Sequence, residues 1–316
     1  MKKISSLILK ISITAVLLIF LFHKIDFHAL VEVVRVADRQ KMLAAFGLFF
    51  FLNLLVLLRW SLLLKGFGIN VSLYRLFLSY ISSLFFNLFL PSTIGGDTLR
   101  TLDISQHTQK PSSGILATVV LDRAIGFFGL FVVLIVSLAF GYKVFNDISI
   151  LWATFLLLLL VLFLSALMFW GWFFHRFFRF LPFKKLKSYL NNIHLATSSY
   201  KERRSFLWGA LFLSISVHVG MAAVYYLLAL SLHESLGFLY FLIAVPMITV
   251  FSTLPFTVGG LGLRDTASVV VFTRVGLAAA KAFALSLINF AFMLILGILG
   301  GFCYVFILYR RRLQSY

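Results

Sequence analysis

Several residue types are scarce in this chain, and each shortage excludes a class of protein. There is one cysteine among 316 residues, so the chain forms no internal disulfide and no cysteine-rich zinc site. The seven histidines are scattered without metal-ligand spacing, and we expect no metal and no other cofactor. Charged residues make up 12% of the chain and hydrophobic residues 62%, more apolar surface than a soluble core can bury. The sequence therefore predicts a polytopic membrane protein.

Acidic residues are also few, since 28 Lys and Arg stand against 10 Asp and Glu, for a net charge of +18. In a soluble protein this excess would suggest binding to nucleic acid. Here the basic residues lie between apolar segments, where they orient membrane spans and attract anionic lipids. We therefore expect anionic membrane lipids as partners, and no nucleic acid.

One motif occurs twice in the chain. The segment Leu90–Arg100 reads LPSTIGGDTLR, and Leu254–Arg264, 164 residues later, reads LPFTVGGLGLR. Leu, Pro, Thr, both Gly, Leu and Arg agree in one register. Helix-breaking residues beside an arginine, each time after an apolar run, indicate a segment that enters the membrane, stops and turns back.

Six apolar segments are long enough to span a bilayer core of roughly 30 Å at about 1.5 Å per residue. They are Met1–Phe22, Met42–Leu64, Gly114–Tyr142, Ile148–Phe174, Ser205–Leu232 and Ala282–Leu308. Two shorter apolar segments, Leu76–Leu90 and Leu236–Leu254, lead into the two motif copies. The first segment also resembles a signal peptide, but no small-residue cleavage site follows it, which favours an uncleaved helix.

The positive-inside rule distinguishes two topologies. If both motif segments cross the membrane completely, there are eight spans and the basic loop His175–Arg204 lies outside. If both segments are re-entrant, there are six spans, and every strongly basic stretch and both termini are cytoplasmic. We predict the second topology. Its halves are oppositely oriented, as in the inverted repeats of many secondary transporters.

The predicted fold class is an all-α polytopic membrane protein with six transmembrane helices and two re-entrant broken helices in an inverted-topology repeat. Residues 1–316 form a single membrane domain. Its parts are the first span and a surface helix (1–41), repeat 1 (42–142), a connecting span and basic cytoplasmic loop (143–204), repeat 2 (205–308) and a basic tail (309–316).

The motif residues are of the types that build an anion site. Pro91 and Pro255 end the incoming helix, and the glycine pairs permit positive φ and close approach of another chain or a ligand. The outgoing helix then starts inside the membrane with its positive end inward, and an arginine follows one turn later. In the alternative interpretation the glycines only pack helices and the arginines are interfacial anchors.

Asp122 and Arg123 lie well inside a predicted span, where a charge costs about 2.5–3.5 kcal/mol on insertion scales. Each therefore needs a partner. The candidates are Arg100 or Arg264 for Asp122, and Asp97 or Asp265 for Arg123. With Arg59 included, these residues count four arginines against three aspartates. We hypothesise that an anionic ligand balances the extra cation, with a purely structural ion-pair network as the alternative.

The predicted substrate-binding residues come from both motif copies and from the charged positions in spans, and no catalytic or metal-binding residue is predicted. They are Arg59, Thr93, Gly95, Gly96, Asp97, Arg100, Asp122, Arg123, Thr257, Gly259, Gly260, Arg264 and Asp265. Other polar residues in spans are expected to join helices. These are Asn53, Asn87, His218 and Asn289.

At these motifs the chain resembles a known family, the transmembrane region of lysylphosphatidylglycerol synthases, also described as flippase-like proteins. The family pattern P-x-x-x-G-G-D-x-x-R is similar to Pro91–Arg100, and its Asp-Arg pair in the next span is similar to Asp122-Arg123. The late pattern P-x-x-x-G-G-x-G-x-R-[E/D] is similar to Pro255–Asp265. The resemblance implies movement of an anionic or modified lipid between leaflets of the bacterial cytoplasmic (inner) membrane.

The resemblance leaves other functions open. Members that synthesise lysylphosphatidylglycerol carry a soluble aminoacyl-transfer domain, for which this chain shows no equivalent, so we expect a transporter and not an enzyme. One alternative is a membrane-embedded transferase that uses a polyprenyl-phosphate-linked donor. Another is a non-catalytic subunit, whose partner would be a lipid-modifying enzyme. The lipid substrate, the energy coupling and the oligomeric state are left open.

Overall fold

A computed structural model of the protein describes residues 32–33, 35–89, 94–141, 203–253 and 261–314. Within these ranges the chain forms helices and no strand. The helices are α1 (Arg39–Gly66), α2 (Leu73–Phe89), α3 (Ile94–Thr108), α4 (Ser112–Gly141), α5 (Arg204–Ser231), α6 (Phe238–Thr253), α7 (Leu263–Arg274) and α8 (Ala279–Gln314). The predicted spans Met1–Phe22 and Ile148–Phe174 lie outside the described residues. So does the basic loop His175–Arg204, except for its last two residues.

Four helices are long and apolar enough to cross a membrane. They are α1, residues 112–139 of α4, α5, and residues 279–307 of α8. Each has 28 or 29 residues, more than a bilayer core of roughly 30 Å requires. They coincide with four of the six predicted spans, and the all-helical class is confirmed. Helix α1 starts earlier than the apolar pattern predicts because the Asp38 carboxylate caps it, accepting from the N–H groups of Gln40 and Lys41.

Helices α2 and α3 form an antiparallel hairpin. Near its open end Arg75 of α2 contacts Asp103 of α3, and near its tip the Gly96 N–H donates to Asn87 Oδ1 at 3.1 Å. Helix α2 has only 17 residues, about 25 Å, so it is shorter than a bilayer core. The hairpin begins after the end of α1 and leads back to the start of α4. It therefore enters and leaves at the same end of the bundle.

Helices α6 and α7 form the corresponding pair in the second half, with α6 at 16 residues. This pair lies between the end of α5 and the start of α8, which are joined by the ion pair of Glu234 with Lys281 at 2.6 Å. Helix α5 runs antiparallel to α1, because the Asp38 N–H donates to the Ser231 carbonyl at 2.8 Å. The two hairpins therefore enter the bundle from opposite ends.

The two halves interlock. Helix α2 packs against α8 of the second half, and α6 packs against α4 of the first half. A Cβ on Gly300 of α8 would lie 2.0 Å from the carbonyl oxygen of Ile81, so α2 and α8 meet backbone to backbone. Between α4 and α6 the contact is made by side chains, with Leu134 against Ile243 and Met247. An offset of 164 residues carries α1–α4 onto α5–α8 within a few residues at each helix start.

Candidate functional site

Five charged side chains from α1, α3 and α4 meet in one network, which we call the arginine cluster: Arg59, Asp97, Arg100, Asp122 and Arg123. Arg59 Nε donates to Asp122 Oδ1 at 2.7 Å. Arg100 Nη2 lies 3.1 Å from Asp97 Oδ1 and 3.4 Å from Asp122 Oδ2, so it bridges both carboxylates. Arg123 Nε binds the second oxygen of Asp97. The predicted pairs of Arg100 with Asp122 and of Asp97 with Arg123 are confirmed.

The arginine cluster is buried and carries an uneven charge. The side chains of Asp122, Arg100 and Arg59 are 3%, 5% and 8% exposed. Asp97 is 12% exposed and Arg123 37%, so the network is most open at Arg123. Among the described residues, three guanidinium groups face two carboxylates, an excess of one positive charge. Burying charge is costly unless it is balanced, so this excess is the electrostatic feature that distinguishes the site.

Arg100 is held from the side by aromatic and polar contacts. Its guanidinium carbon lies 4.7 Å from the ring centroid of Trp60, a cation–π contact. The Trp60 indole N–H in turn donates to Thr118 Oγ1 at 3.2 Å, which fixes the ring. Arg100 Nε is buried and has no hydrogen-bond acceptor among the described residues. This arginine therefore has one buried donor that the described residues leave unsatisfied.

The second glycine of the first motif, Gly96, serves helix packing. A Cβ on Gly96 would lie 2.3 Å from the Ser83 carbonyl oxygen, so α3 can start against α2 only with glycine there. Gly95 and Gly96 have helical backbone, and the prediction of positive φ is wrong at this pair. In the second motif the positive φ, 79°, belongs to Gly262. Thr93, Thr257, Gly259 and Gly260 lie outside the described residues.

The second motif builds a separate, neutral network, the Arg264 cluster, which consists of Arg264, Asp265 and Ser286. Arg264 Nη2 lies 2.8 Å from Asp265 Oδ1, and Arg264 Nε donates to Ser286 Oγ at 2.9 Å. Ser286 Oγ also donates to Asp265 Oδ1 at 2.5 Å, and the Gly262 N–H donates to Asp265 Oδ2 at 2.9 Å. One guanidinium thus faces one carboxylate, and the charges cancel.

Among the described residues, the two clusters share no hydrogen bond or ion pair. A single site at both glycine pairs stays a prediction, because Gly259 and Gly260 lie outside the described residues. Arg264 pairs with Asp265 and not with Asp122, and Asp265 does not pair with Arg123. The reason is local, because Asp265 follows Arg264 in the chain and turns back onto it in the first turn of α7. The excess cation counted from the sequence remains entirely in the arginine cluster.

Some residues that complete the site were not predicted from the sequence. Trp60 and Thr118 brace Arg100, and Ser214 of α5 accepts a hydrogen bond from Arg59 Nη1 at 3.2 Å. Ser214 had no motif to mark it, but Gly126 and Gly129 lie one and two turns after Asp122 and could have indicated a close approach there.

The expected helix-joining polar residues make such contacts where a partner is described. Asn53 Oδ1 accepts from the Tyr80 hydroxyl at 3.1 Å, and Asn87 binds α3 as described above. His218 Nε2 lies 2.9 Å from the Gly126 carbonyl oxygen. Among the described residues, His, Cys, Asp and Glu side chains form no group of three that could hold a metal ion.

The long apolar helices and the buried ionic networks between them define a multi-pass helical membrane protein. The model of the family described as Lysylphosphatidylglycerol synthase TM region matches residues 7–301. The chain belongs to this family, which confirms the resemblance seen in its motifs. No curated protein and no solved structure gives a significant match.

Proposed function

We propose that the protein is a lipid transporter that moves an anionic or modified phospholipid between leaflets, with the headgroup bound at the arginine cluster. The observation that carries this proposal is a buried network with three arginines and two aspartates. A headgroup phosphate would supply the missing negative charge and accept from donors that the aspartates do not saturate. Membership of the lysylphosphatidylglycerol synthase TM region family supports a lipid as the ligand.

The proposed transport path rests on the two hairpins. We propose that α2–α3 and α6–α7 are re-entrant segments of an inverted repeat, because each is too short to span and they enter from opposite ends of the bundle. Among the described residues, Lys and Arg are more numerous at the end of the bundle where α1 ends and α5 begins, eight against five at the opposite end. The eight are Lys65, Arg75, Lys110, Arg203, Arg204, Arg310, Arg311 and Arg312, and the five are Arg35, Arg39, Lys41, Arg274 and Lys281. The positive-inside rule would make this end cytoplasmic, in keeping with six spans, cytoplasmic termini and the inner membrane of a bacterium.

Within the site, we assign ligand contact to Arg100 and Arg123. Arg100 has a buried donor without an acceptor among the described residues, and Arg123 lies at the exposed edge of the network. Arg100 follows the N-terminal turn of α3, and Arg123 of α4 lies beside that turn, where it binds Asp97. The helix dipole favours an anion there. Arg264 is engaged by Asp265 and Ser286 and braces the second hairpin in this proposal.

Transport fits the site better than group transfer. A transferase needs a carboxylate or other base free to accept a proton. Asp97 and Asp122 are both engaged by arginines, so neither carboxylate is free for this role. We therefore propose that the chain itself is a transporter and not an enzyme.

The test is a transport assay in liposomes that contain fluorescent phosphatidylglycerol, with dithionite added outside to bleach the accessible label. The reconstituted protein should expose inner-leaflet label to bleaching. Arg100→Gln should slow this by about thirtyfold or more, since it removes a buried charge-assisted contact. Lys65→Gln, at an exposed lysine near the end of α1, is the matched control and should transport normally.

Two results would contradict the proposal. Protein-containing vesicles could bleach no faster than empty ones, or folded Arg100→Gln protein could transport at the full rate. Arg264→Gln distinguishes the roles of the two clusters, since it should lower thermal stability more than transport. If it lowers transport as far as Arg100→Gln does at unchanged stability, both arginines bind the lipid. Product formation from a polyprenyl-phosphate-linked donor in detergent would favour the transferase.

A further inference from the structure

One face of α4 carries Asp122, Gly126 and Gly129, spaced by four and three residues so that they line up along the helix. We call this face the α4 strip. A Cβ on Gly126 would lie 3.3 Å from Arg59 Nη1. A Cβ on Gly129 would lie 2.3 Å from Ser214 Oγ. The two glycines therefore provide the space in which the Arg59 guanidinium and the Ser214 hydroxyl lie against α4.

Ser214 joins the second half of the chain to the arginine cluster. It lies on α5, is fully buried, and accepts from Arg59 Nη1 at 3.2 Å. Its own hydroxyl donates toward the backbone of α4, 3.0 Å from the Ile125 carbonyl oxygen and 3.2 Å from that of Gly126. With its proton directed to α4, the hydroxyl oxygen presents a lone pair to Arg59.

Arg59 is thereby held at two points. Its Nε binds Asp122 Oδ1, and its Nη1 binds Ser214. Arg100 uses the other oxygen of Asp122, at 3.4 Å. If Arg59 moved away, Asp122 would be left to Arg100 alone and would draw that guanidinium toward itself. The position of Arg59 thus controls how much of Arg100 is available to a ligand.

We propose that Ser214 is a positioning residue of the anion site, which keeps Arg59 on Asp122 so that Arg100 can bind an anionic headgroup. This inference rests on the proposed function, because it assumes that the arginine cluster binds the headgroup. It adds that the site is completed by α5, from the other half of the chain, through one hydroxyl.

The test measures binding of dihexanoyl phosphatidylglycerol, a short-chain lipid with one negative charge, to the full-length protein in detergent. Ser214→Ala should raise the dissociation constant about tenfold, the effect of losing one hydrogen bond to a charged group. Ser216→Ala is the matched control, since Ser216 lies on the same helix, and its hydroxyl binds only the Phe212 carbonyl of α5 among the contacts described. It should bind like the unmodified protein.

A double-mutant cycle separates positioning from a merely structural role. Arg59→Lys keeps the charge but lacks the fork that reaches both partners. Ser214→Ala should therefore add little to the loss caused by Arg59→Lys, and the two effects should fall well short of additivity. Both variants should weaken lipid binding. The melting temperature of the lipid-free protein should change little in either variant.

The outcomes distinguish this inference from the function on which it rests. If the unmodified protein does not bind the lipid, the proposed function fails. If it binds and Ser214→Ala equals Ser216→Ala, the positioning role is wrong. Fully additive losses in the cycle would also overturn it. Should Ser214→Ala not yield folded protein, Arg59→Lys alone decides, because unchanged affinity there would contradict the positioning mechanism.

Discussion

Helices α4 and α8 occupy equivalent places in the two halves, and the faces that contact Arg59 and Arg264 differ at three aligned positions. The α4 strip has Asp122, Gly126 and Gly129, whereas the positions 164 residues later in α8 are Ser286, Phe290 and Met293. In α4 the glycines leave room for Arg59 and Ser214. In α8, Phe290 lies 5.1 Å from the Arg264 guanidinium and Met293 Sδ lies 3.9 Å from its Nη1. The α4 strip therefore has room for two additional polar groups, whereas side chains of α8 fill the corresponding space in the second half.

The hairpin arginines themselves behave alike. Arg100 contacts the residue 22 positions later, Asp122, and Arg264 contacts the residue 22 positions later, Ser286. The arrangement of helices and the arginine are thus the same in both halves. The carboxylate is on α4, at Asp122, in the first half, and directly after the arginine, at Asp265, in the second. The comparison teaches that the two halves share a scaffold and that the excess charge is a property of the first half alone.

Giving the first half the residue of the second should produce the largest effect. Asp122→Ser removes the carboxylate that faces both Arg59 and Arg100, and should lower the free energy of unfolding by about 3–5 kcal/mol, as expected when one partner of a buried ion pair is lost. Thermal unfolding in detergent measures it. Ser286 is tolerated in α8 because Asp265 supplies the charge there. The residue of the first half that is equivalent to Asp265 is Thr101, which is buried.

A second variant moves the carboxylate as well. Thr101→Asp combined with Asp122→Ser copies the second-half arrangement around Arg100 and should recover part of the lost stability. Ser216→Ala, remote from both clusters in its contacts, is the control and should unfold at the normal temperature. If Asp122→Ser alone were as stable as the unmodified protein, the arginine cluster would not depend on this carboxylate.

A smaller effect is expected from partly filling the α4 strip. Gly129→Ala places a methyl group 2.3 Å from Ser214 Oγ and should destabilise the protein by about 1–3 kcal/mol through overpacking. Gly47→Ala in α1 is the matched control, because a Cβ there meets no atom within 4 Å. Alanine favours helix over glycine by about 0.5–1 kcal/mol, so the control should melt higher. Equal changes at both positions would show that α4 and α5 are not in close contact there.

The sequence was sufficient for those features that depend on local pattern. Long apolar runs predicted α1, α4, α5 and α8, and the repeated motif located the two hairpins. The cost of burying charge predicted that Asp122 pairs with Arg100 or Arg264, and Arg100 is the partner in the structure. Sequence distance could not show that Arg264 and Asp265 satisfy each other, because that depends on how the first turn of α7 folds.

The remaining features depend on helix packing, to which single-sequence reasoning has no access. Ser214 lies 155 residues from Arg59, and only the contact of α5 with α4 brings them together. The glycines of the first motif were predicted to permit positive φ or a close approach, and the close contact of Gly96 with α2 is what requires glycine there. A glycine required for positive φ and a glycine required for close helix contact look the same in a sequence.

The smallest predicted effect concerns the starts of α1 and α5, which are equivalent helices with different caps. The Asp38 carboxylate accepts from backbone N–H groups at the start of α1, whereas Arg203 gives α5 no side-chain cap. The backbone hydrogen bond from Lys41 lowers the pKa of Asp38, and the Lys41 ammonium lowers it further. Because the folded pKa is lowered, the cap stabilises α1 above the ordinary aspartate pKa and is lost as the pH falls through the lowered value. Hydrogen exchange, corrected for its intrinsic pH dependence, should show lower protection of the first turn of α1 in acid and no such change in α5. Asp38→Asn should abolish the difference, since the amide still caps but does not titrate in this range. Equal acid sensitivity of both helix starts would show that this carboxylate does not distinguish them.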